Sequence, residues 1–218
     1  SEYGLATSGE ARFAIKADGT LWAWGKNNWG GLGLNDRTSR SSPTQIPGTT
    51  WASVDMSYTS NEGSAAAVKT DGTAWVWGWN DGGALGLNQT ASSPTQKYSS
   101  PVQLPGTTWV RIQSNGSDGV VALKTNGTIW AWGSNGGGGL GLNDRTQYSS
   151  PVQIPGTTWN DIQIQANVTM ASKTDGTLWA WGNSTYGMLG QNDGTQYSSP
   201  VQIPGIWDDW AITNSTVF

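Results

Sequence analysis

Asp208 and Asp209 are the only adjacent acidic residues in a chain of 218. A carboxylate pair could serve general acid–base chemistry, but neighbours on an extended segment point to opposite faces, so these two do not converge on one substrate. Other familiar catalytic designs need residues the chain lacks. It has no His and no Cys, so it holds no imidazole base, no Ser-His-Asp triad, no thiolate nucleophile, no disulfide and no His- or Cys-bound zinc. Asp36, Asp144 and Asp193 follow Asn in loops. Their oxygens suit calcium, but one acid per loop is thin and Asn-Asp is ordinary turn chemistry. No active site is legible, and no metal or cofactor is expected.

What the chain has in excess is Trp, 15 residues, beside 31 Gly. Trp faces either stack on ligands such as sugars or bury on the order of 150–250 Å² each in a core. Recurrence separates the two readings. The string [KT]-x-[DN]-G-T-x-W-x-W-G occurs four times, its first Trp being Trp22, Trp75, Trp130 and Trp179, at spacings of 53, 55 and 49. A P-G-T-T-W marker begins at Pro47, Pro105 and Pro155 and returns as P-G-I-W at Pro204. L-G follows at Leu32, Leu85, Leu140 and Leu189. The second copy carries a five-residue insertion, visible in the doubled SSPTQKYSSPVQ. Four repeats are therefore expected, at about 1–48, 49–106, 107–156 and 157–205, with a partial fifth at 206–218, all in one domain.

Each repeat predicts four short antiparallel strands. Val120 to Lys124 meets Asn126-Gly127 and then Thr128 to Trp132. Asn-Gly or Asp-Gly between such runs predicts a two-residue type I′ hairpin, in which both residues take positive φ. Further strands follow the P-G-T-T-W Trp and hold Pro-Val-Gln-Ile. No helical period competes. Alternation places Trp22 and Trp24 on one face and Leu21 and Ala23 on the other. A sheet with two apolar faces suits packing between neighbouring blades, so the fold class is an all-β propeller of four four-stranded blades.

Charged residues are 12% of the chain, about half the usual share of roughly 25%, and the net charge is −4. The acidic balance argues against a nucleic-acid partner and against docking on anionic lipid. No apolar run approaches the ~20 residues that span a bilayer. The opening SEYGLATSGE lacks a signal-peptide pattern, so either export by that route is not expected or the signal is already gone.

The stretches WAWGKNNWGGLG, VWGWNDGGALG, WAWGSNGGGGLG and WAWGNSTYGMLG resemble the repeat of the regulator of chromosome condensation family. The fourth carries Ser184 where the family has Asn. The family repeat usually has a His before the hairpin, where this chain has Ala65, Val120 or Met170. The resemblance implies a propeller of roughly 50-residue blades. Its best-known members carry seven, which this chain alone cannot supply. Either the blades splay and the tail clasps the first sheet, which is the favoured reading, or chains complete one another. An open arc would expose Trp-rich end faces and favour a homo-oligomer or larger assembly.

The family's members act mainly as binding platforms: nucleotide exchange on a small GTPase, β-lactamase inhibition, scaffolding, and parts of phage or secreted bacterial proteins. The resemblance thus implies a non-enzymatic binding or structural module, on a virion or outside a bacterial cell, with a protein or cell-surface glycan partner. A protein-inhibitor propeller and a lectin are the alternatives.

Residues that vary among repeats are the binding candidates. Twelve Trp recur at fixed places, Trp207 among them, and read as core; Trp29, Trp79 and Trp210 do not. Trp29 stands where other copies have Gly82, Gly137 and Tyr186, and Trp79 where they have Lys26, Ser134 and Asn183. Trp29, Trp79 and Tyr186 thus form a candidate surface of aromatic anchors among small polar residues. Arg37 and Arg145 join them from the N-D-R-T loops, with Tyr148 and Tyr197, which precede S-S-P as Tyr98 does. Lys16, Lys69, Lys124 and Lys173, just before the hairpins, read as solvated edge charges.

Overall fold

The computed structural model describes residues 5–8, 10–59, 62–89, 97–115, 118–165 and 167–212. It forms four antiparallel sheets of four strands, each wound in sequence order. The first sheet holds β1 (Leu5–Ser8), β2 (Ala11–Ile15), β3 (Leu21–Gly25) and β4 (Arg40–Gln45). The second holds β5 (Trp51–Thr59), β6 (Glu62–Lys69), β7 (Ala74–Trp79) and β8 (Lys97–Gln103). The third holds β9 (Trp109–Ser114), β10 (Gly119–Lys124), β11 (Ile129–Gly133) and β12 (Tyr148–Gln153). The fourth holds β13 (Trp159–Gln165), β14 (Val168–Lys173), β15 (Leu178–Gly182) and β16 (Tyr197–Ile203). Part of the five-residue insertion falls at 90–96 and lies outside the described residues.

The hairpins at one end of the sheets differ from the expected turn. Gly19, Gly72, Gly127 and Gly176 take positive φ, but the Asp or Asn before each does not. Gly19 N–H donates to Lys16 O, and Lys16 N–H donates to Thr20 O. This is the longer loop in which a type I turn is followed by a left-handed Gly. The side chain explains the choice. Asp18 Oδ1 accepts from the backbone N–H of Thr20 at 3.0 Å and from its hydroxyl at 2.6 Å. Those bonds hold the Asp carboxyl below its usual range, the hydroxyl contributing most, and Asp71 and Asp175 repeat the pattern.

Three of the four buried clusters bridge neighbouring sheets, and the fourth, of Val168, Ala180 and Leu189, lies within the fourth unit. One buried cluster joins Phe13, Leu21 and Ala23 of the first sheet to Trp51 and Trp77 of the second. A second joins Val68 and Leu104 to Trp109 and Trp132. A third joins Ile129 and Leu140 to Trp159 and Trp181. Each sheet presents its Trp face to the preceding unit and its aliphatic face to the next. The rings meet edge to face: Trp109 lies 6.4 Å from Trp130 and 6.1 Å from Trp132.

Three polar contacts repeat at every junction. The second Trp of W-x-W donates its indole N–H to a loop carbonyl of the preceding unit. Trp77 reaches Gly31 O, Trp132 reaches Ala84 O and Trp181 reaches Gly139 O, each at 2.9 Å. Asn35, Asn88 and Asn143 donate backbone N–H to Ser99 O, Ser149 O and Ser198 O of the following outer strand. Trp51, Trp109 and Trp159 donate backbone N–H to Gly19 O, Gly72 O and Gly127 O. Glycine is required where the chains close in: a Cβ on Gly83 would sit 2.7 Å from Ser149 Cα.

The units form an open arc. Inner strands pack in succession, β1 on β5, β5 on β9 and β9 on β13, and no buried cluster joins units that are not neighbours. The described part of the tail, 206–212, runs beside the fourth sheet and not toward the first; residues 213–218, to which the expected clasp also extends, lie outside the described residues. Trp207 N–H donates to Gly176 O as the other inner-strand Trp residues do to their hairpins. Ile212 N–H reaches Gln163 Oε1 at 2.8 Å, the counterpart of Ser114 N–H on Asp55. Residues 206–212 therefore lie beside the fourth sheet along the path of the inner strand of a fifth unit, without forming a strand of their own. Trp207 is 40% exposed here, where Trp51, Trp109 and Trp159 are 3% exposed, so it is not the core residue its repeat position predicted. Trp24, whose Trp face meets no sheet within the described residues, is likewise only half-buried.

The hairpin lysines are not free edge charges. Lys124 Nζ lies 4.2 Å from the centre of one Trp109 ring and 4.5 Å from that of Trp130, and Lys69 and Lys173 sit likewise over two rings. Partial burial lowers the Lys124 pKa. Lys16 lies over Trp22 alone, at 3.8 Å.

Candidate functional site

The end of the arc opposite the hairpins is built from the loops that follow W-x-W-G. A buried Asn organises each of the first three. Asn27 Oδ1 accepts from Leu32 N–H at 2.9 Å, while its amide donates to Asp36 O and Thr38 O. Asn80 and Asn135 accept from Leu85 and Leu140 in the same way. In the fourth unit Ser184 is too short for both tasks, and its hydroxyl reaches Asp193 O only at 3.5 Å.

On these fixed loops the varying residues take three different places. Trp29 and Trp79, from different units, meet edge to face at 5.1 Å. Lys97 Nζ lies 3.4 Å from the Trp29 ring centre and 4.5 Å from that of Trp79. Both rings are half-buried. Tyr186 stands apart, 98% exposed, at φ +63°. Gly82, its equivalent in the second unit, has φ +59°. A side chain there costs about 1–2 kcal/mol relative to Gly.

The other candidates divide by what they hold. Tyr148 donates its hydroxyl to Asp144 Oδ2 at 2.6 Å, and Tyr197 to Asp193 Oδ2 at 3.1 Å. Those acceptors raise both phenol pKa values. Arg40 replaces the Tyr in the first unit and pairs with Asp36 instead. These residues brace the loop. Arg145 bridges to Gln196 of the next unit at 2.9 Å, and Arg37 is exposed. Asp36, Asp144 and Asp193 each cap the backbone N–H two residues on. Among the described residues no group of three or more acids could hold a metal ion.

Lys97 was not a candidate from the sequence. Its signal was there: Ser39, Gln147 and Gln196 fill its place in the other repeats. The inner strands carry two further links. Asp55 accepts from the N–H and hydroxyl of Ser114, and burial raises its pKa against those bonds. Arg111 pairs with Asp161 at 2.6 Å. At the hairpin end a groove of 530 Å³ runs between the third and fourth units, lined by Thr125, Asn126, Thr158 and Trp159. Trp159 is 3% exposed there, which leaves no open ring face for a sugar to stack on.

Four matches to one repeat model lie on this arc, at residues 18–57, 71–123, 126–171 and 175–212, and that model is the Regulator of chromosome condensation (RCC1) repeat. The chain belongs to the RCC1 repeat family. Human E3 ubiquitin-protein ligase HERC2 is 31% identical over 121 residues, covering 55% of this chain and 2% of that protein. The ultraviolet-B receptor UVR8 of Arabidopsis thaliana is 27% identical over 140 residues, covering 63% of this chain and 30% of that one. Among solved structures, human WBSCR16 superposes with a TM-score of 0.75 at 20% identity, over 91% of this chain and 52% of that one. Yeast RCC1 (Prp20), solved bound to Kap60, gives 0.74 at 16%, over 94% and 50%. This RCC1-repeat chain thus spans about half the length of those structures, and its four units fit them as a propeller segment.

Proposed function

We propose that this RCC1-repeat chain is a non-catalytic protein-binding module that grips its partner with the loop end of its first two units. The observation that carries the reading is the Trp29–Trp79–Lys97 cluster. Two units contribute one aromatic each at positions the repeat does not need, and a cation is seated on both. Half-buried Trp rings ringed by small polar residues are the usual composition of an interface anchor. The similarity to yeast RCC1 (Prp20), seen bound to Kap60, supports a protein as the partner class. The ligase in the name of HERC2 is not carried over, because the likeness covers 2% of that protein. A glycan is disfavoured, since Lys97 already sits over both the Trp29 and the Trp79 ring. A virion or extracellular setting stays part of this proposal, and immunogold labelling confined to the cytosol would remove it.

The test pairs capture with measurement. A photo-crosslinking residue in place of Asn28, exposed beside Trp29, captures a partner, and Val110 at the far end serves as control. The identified partner is then titrated against Trp29→Ala. Affinity should fall at least tenfold with the melting temperature little changed. Equal affinity for both forms would overturn the assignment.

A further inference from the structure

The junction between the first and second units differs from that between the third and fourth at one pair of side chains. In the later junction Asn143 donates its backbone N–H to Ser198 O. Two residues after Asn143 and two before Ser198, Arg145 donates to Gln196 Oε1 at 2.9 Å. In the earlier junction Asn35 donates its backbone N–H to Ser99 O at 2.6 Å. The same steps along each chain segment reach Arg37 and Lys97. Register therefore sets a guanidinium beside an ammonium, where the later junction sets a guanidinium beside an amide oxygen.

Neither a guanidinium nor an ammonium can accept a hydrogen bond. Arg37 is exposed, and among the described residues it forms no ion pair. Its neighbour Asp36 is engaged elsewhere. Asp36 Oδ2 pairs with Arg40, and its Oδ1 accepts from Thr38 N–H and from the Asn27 amide. Lys97 is held in place by the Trp29 and Trp79 rings. The buried indole N–H of Trp79 has no acceptor among the described residues. Arg37, Lys97 and Trp79 are thus all donors, and two of them carry positive charge in a chain whose net charge is −4.

We propose that this corner takes a carboxylate, the side chain of an Asp or Glu on a protein partner, with Arg37 as its main ligand. The inference rests on the reading of Trp29 and Trp79 as an interface and adds the chemistry of what they grip. The guanidinium fork matches a carboxylate through two parallel N–H···O bonds. Lys97 adds a second positive charge from the ring side, and the incoming anion offsets the repulsion between the two cations. A nucleic acid fits less well, because an acidic chain repels a polyanion while one local pair of cations still attracts a single carboxylate. In the later junction Gln196 already satisfies Arg145, so that corner is the internal control.

Fluorescence anisotropy with a panel of labelled peptides, in which Glu alternates with Leu, Phe or Tyr, tests it. The same peptides with Gln or with phosphoserine in place of Glu are the comparison. At least one Glu peptide should bind saturably, its Gln form at least tenfold more weakly, and added salt should weaken the Glu form. Arg37→Gln should cost at least tenfold in affinity, and Arg145→Gln less than twofold. Arg37→Gln also gives Lys97 an acceptor, so its melting temperature should hold or rise. Failure of every Glu peptide would overturn the proposal, as would equal losses at Arg37 and Arg145, tighter binding of the phosphoserine form, or a lower melting temperature for Arg37→Gln. Binding that is lost with Trp29→Ala but kept with Arg37→Gln would leave the interface standing and remove the carboxylate site. Binding indifferent to Trp29→Ala would remove both.

Discussion

Replacing Trp132 with Phe removes one indole N–H from the junction between the second and third units and leaves the ring's place half-filled. Trp132 is fully buried, and its N–H meets Ala84 O at 2.9 Å. The change strands a buried carbonyl, at about 1–3 kcal/mol, and opens a cavity that adds about 1 kcal/mol. For a chain of this size, each 1 kcal/mol lowers the melting temperature by about 2–4 °C, so a fall of roughly 4–16 °C is expected. Trp130, two residues earlier on the same strand, is the control. It is half-buried, and its N–H reaches only Thr128 Oγ1 of its own hairpin, at 3.0 Å. Phe there leaves a hydroxyl that water can satisfy, and the loss should stay near 1 kcal/mol. Urea titration reads both, the comparison being valid where the slope is unchanged. If the two variants lie within about 0.5 kcal/mol of each other, the indole bond is not what couples the units.

Three further outcomes follow from the same contacts. Ser184→Asn restores the loop bracket that Asn27 makes and should stabilise the chain by about 1 kcal/mol, read as a rise in melting temperature. Tyr186→Gly relieves the left-handed backbone and should stabilise by about 1 kcal/mol by the same assay. Asp55→Asn tests pH dependence by urea melts from pH 4 to 8. Burial raises the folded pKa of Asp55 above the unfolded ~3.9, so its share of stability is full below that value and is lost as pH rises through the folded pKa. The wild type should therefore lose ground to Asp55→Asn as pH rises. Asp18, Asp71 and Asp175, whose pKa values are lowered, give the opposite slope in both proteins, their share being lost as pH falls through the folded pKa.

The repeat, the sheet order and the two apolar faces were legible because each follows from spacing and alternation, and four copies vote on every position. The hairpin type was not, because Asp-Gly alone does not say that Thr20 will bind the Asp side chain and hold it out of positive φ. The lysines were misjudged for a related reason. A charge beside a turn looks solvated until the Trp of the inner strand, 14 to 18 residues earlier in the sequence, is folded beneath it. The tail aligned correctly as the start of a fifth unit, yet its destination depends on arc curvature, which no local pattern encodes. At the candidate site, variation among repeats picked out Trp29 and Trp79. Their contact across units, and the part of Lys97, emerged only when the loops were placed.

The open arc is tested most directly by distances between its hairpins. The chain has no cysteine, so spin labels at Ala17→Cys paired in turn with Thr70→Cys, Thr125→Cys and Thr174→Cys report one pair each. All four positions are exposed. Measured by pulsed dipolar spectroscopy with unlabelled chain in excess, the distance from 17 should grow from 70 to 125 to 174. A distance from 17 to 174 equal to that from 17 to 70 would mean a closed four-bladed ring and contradict the account.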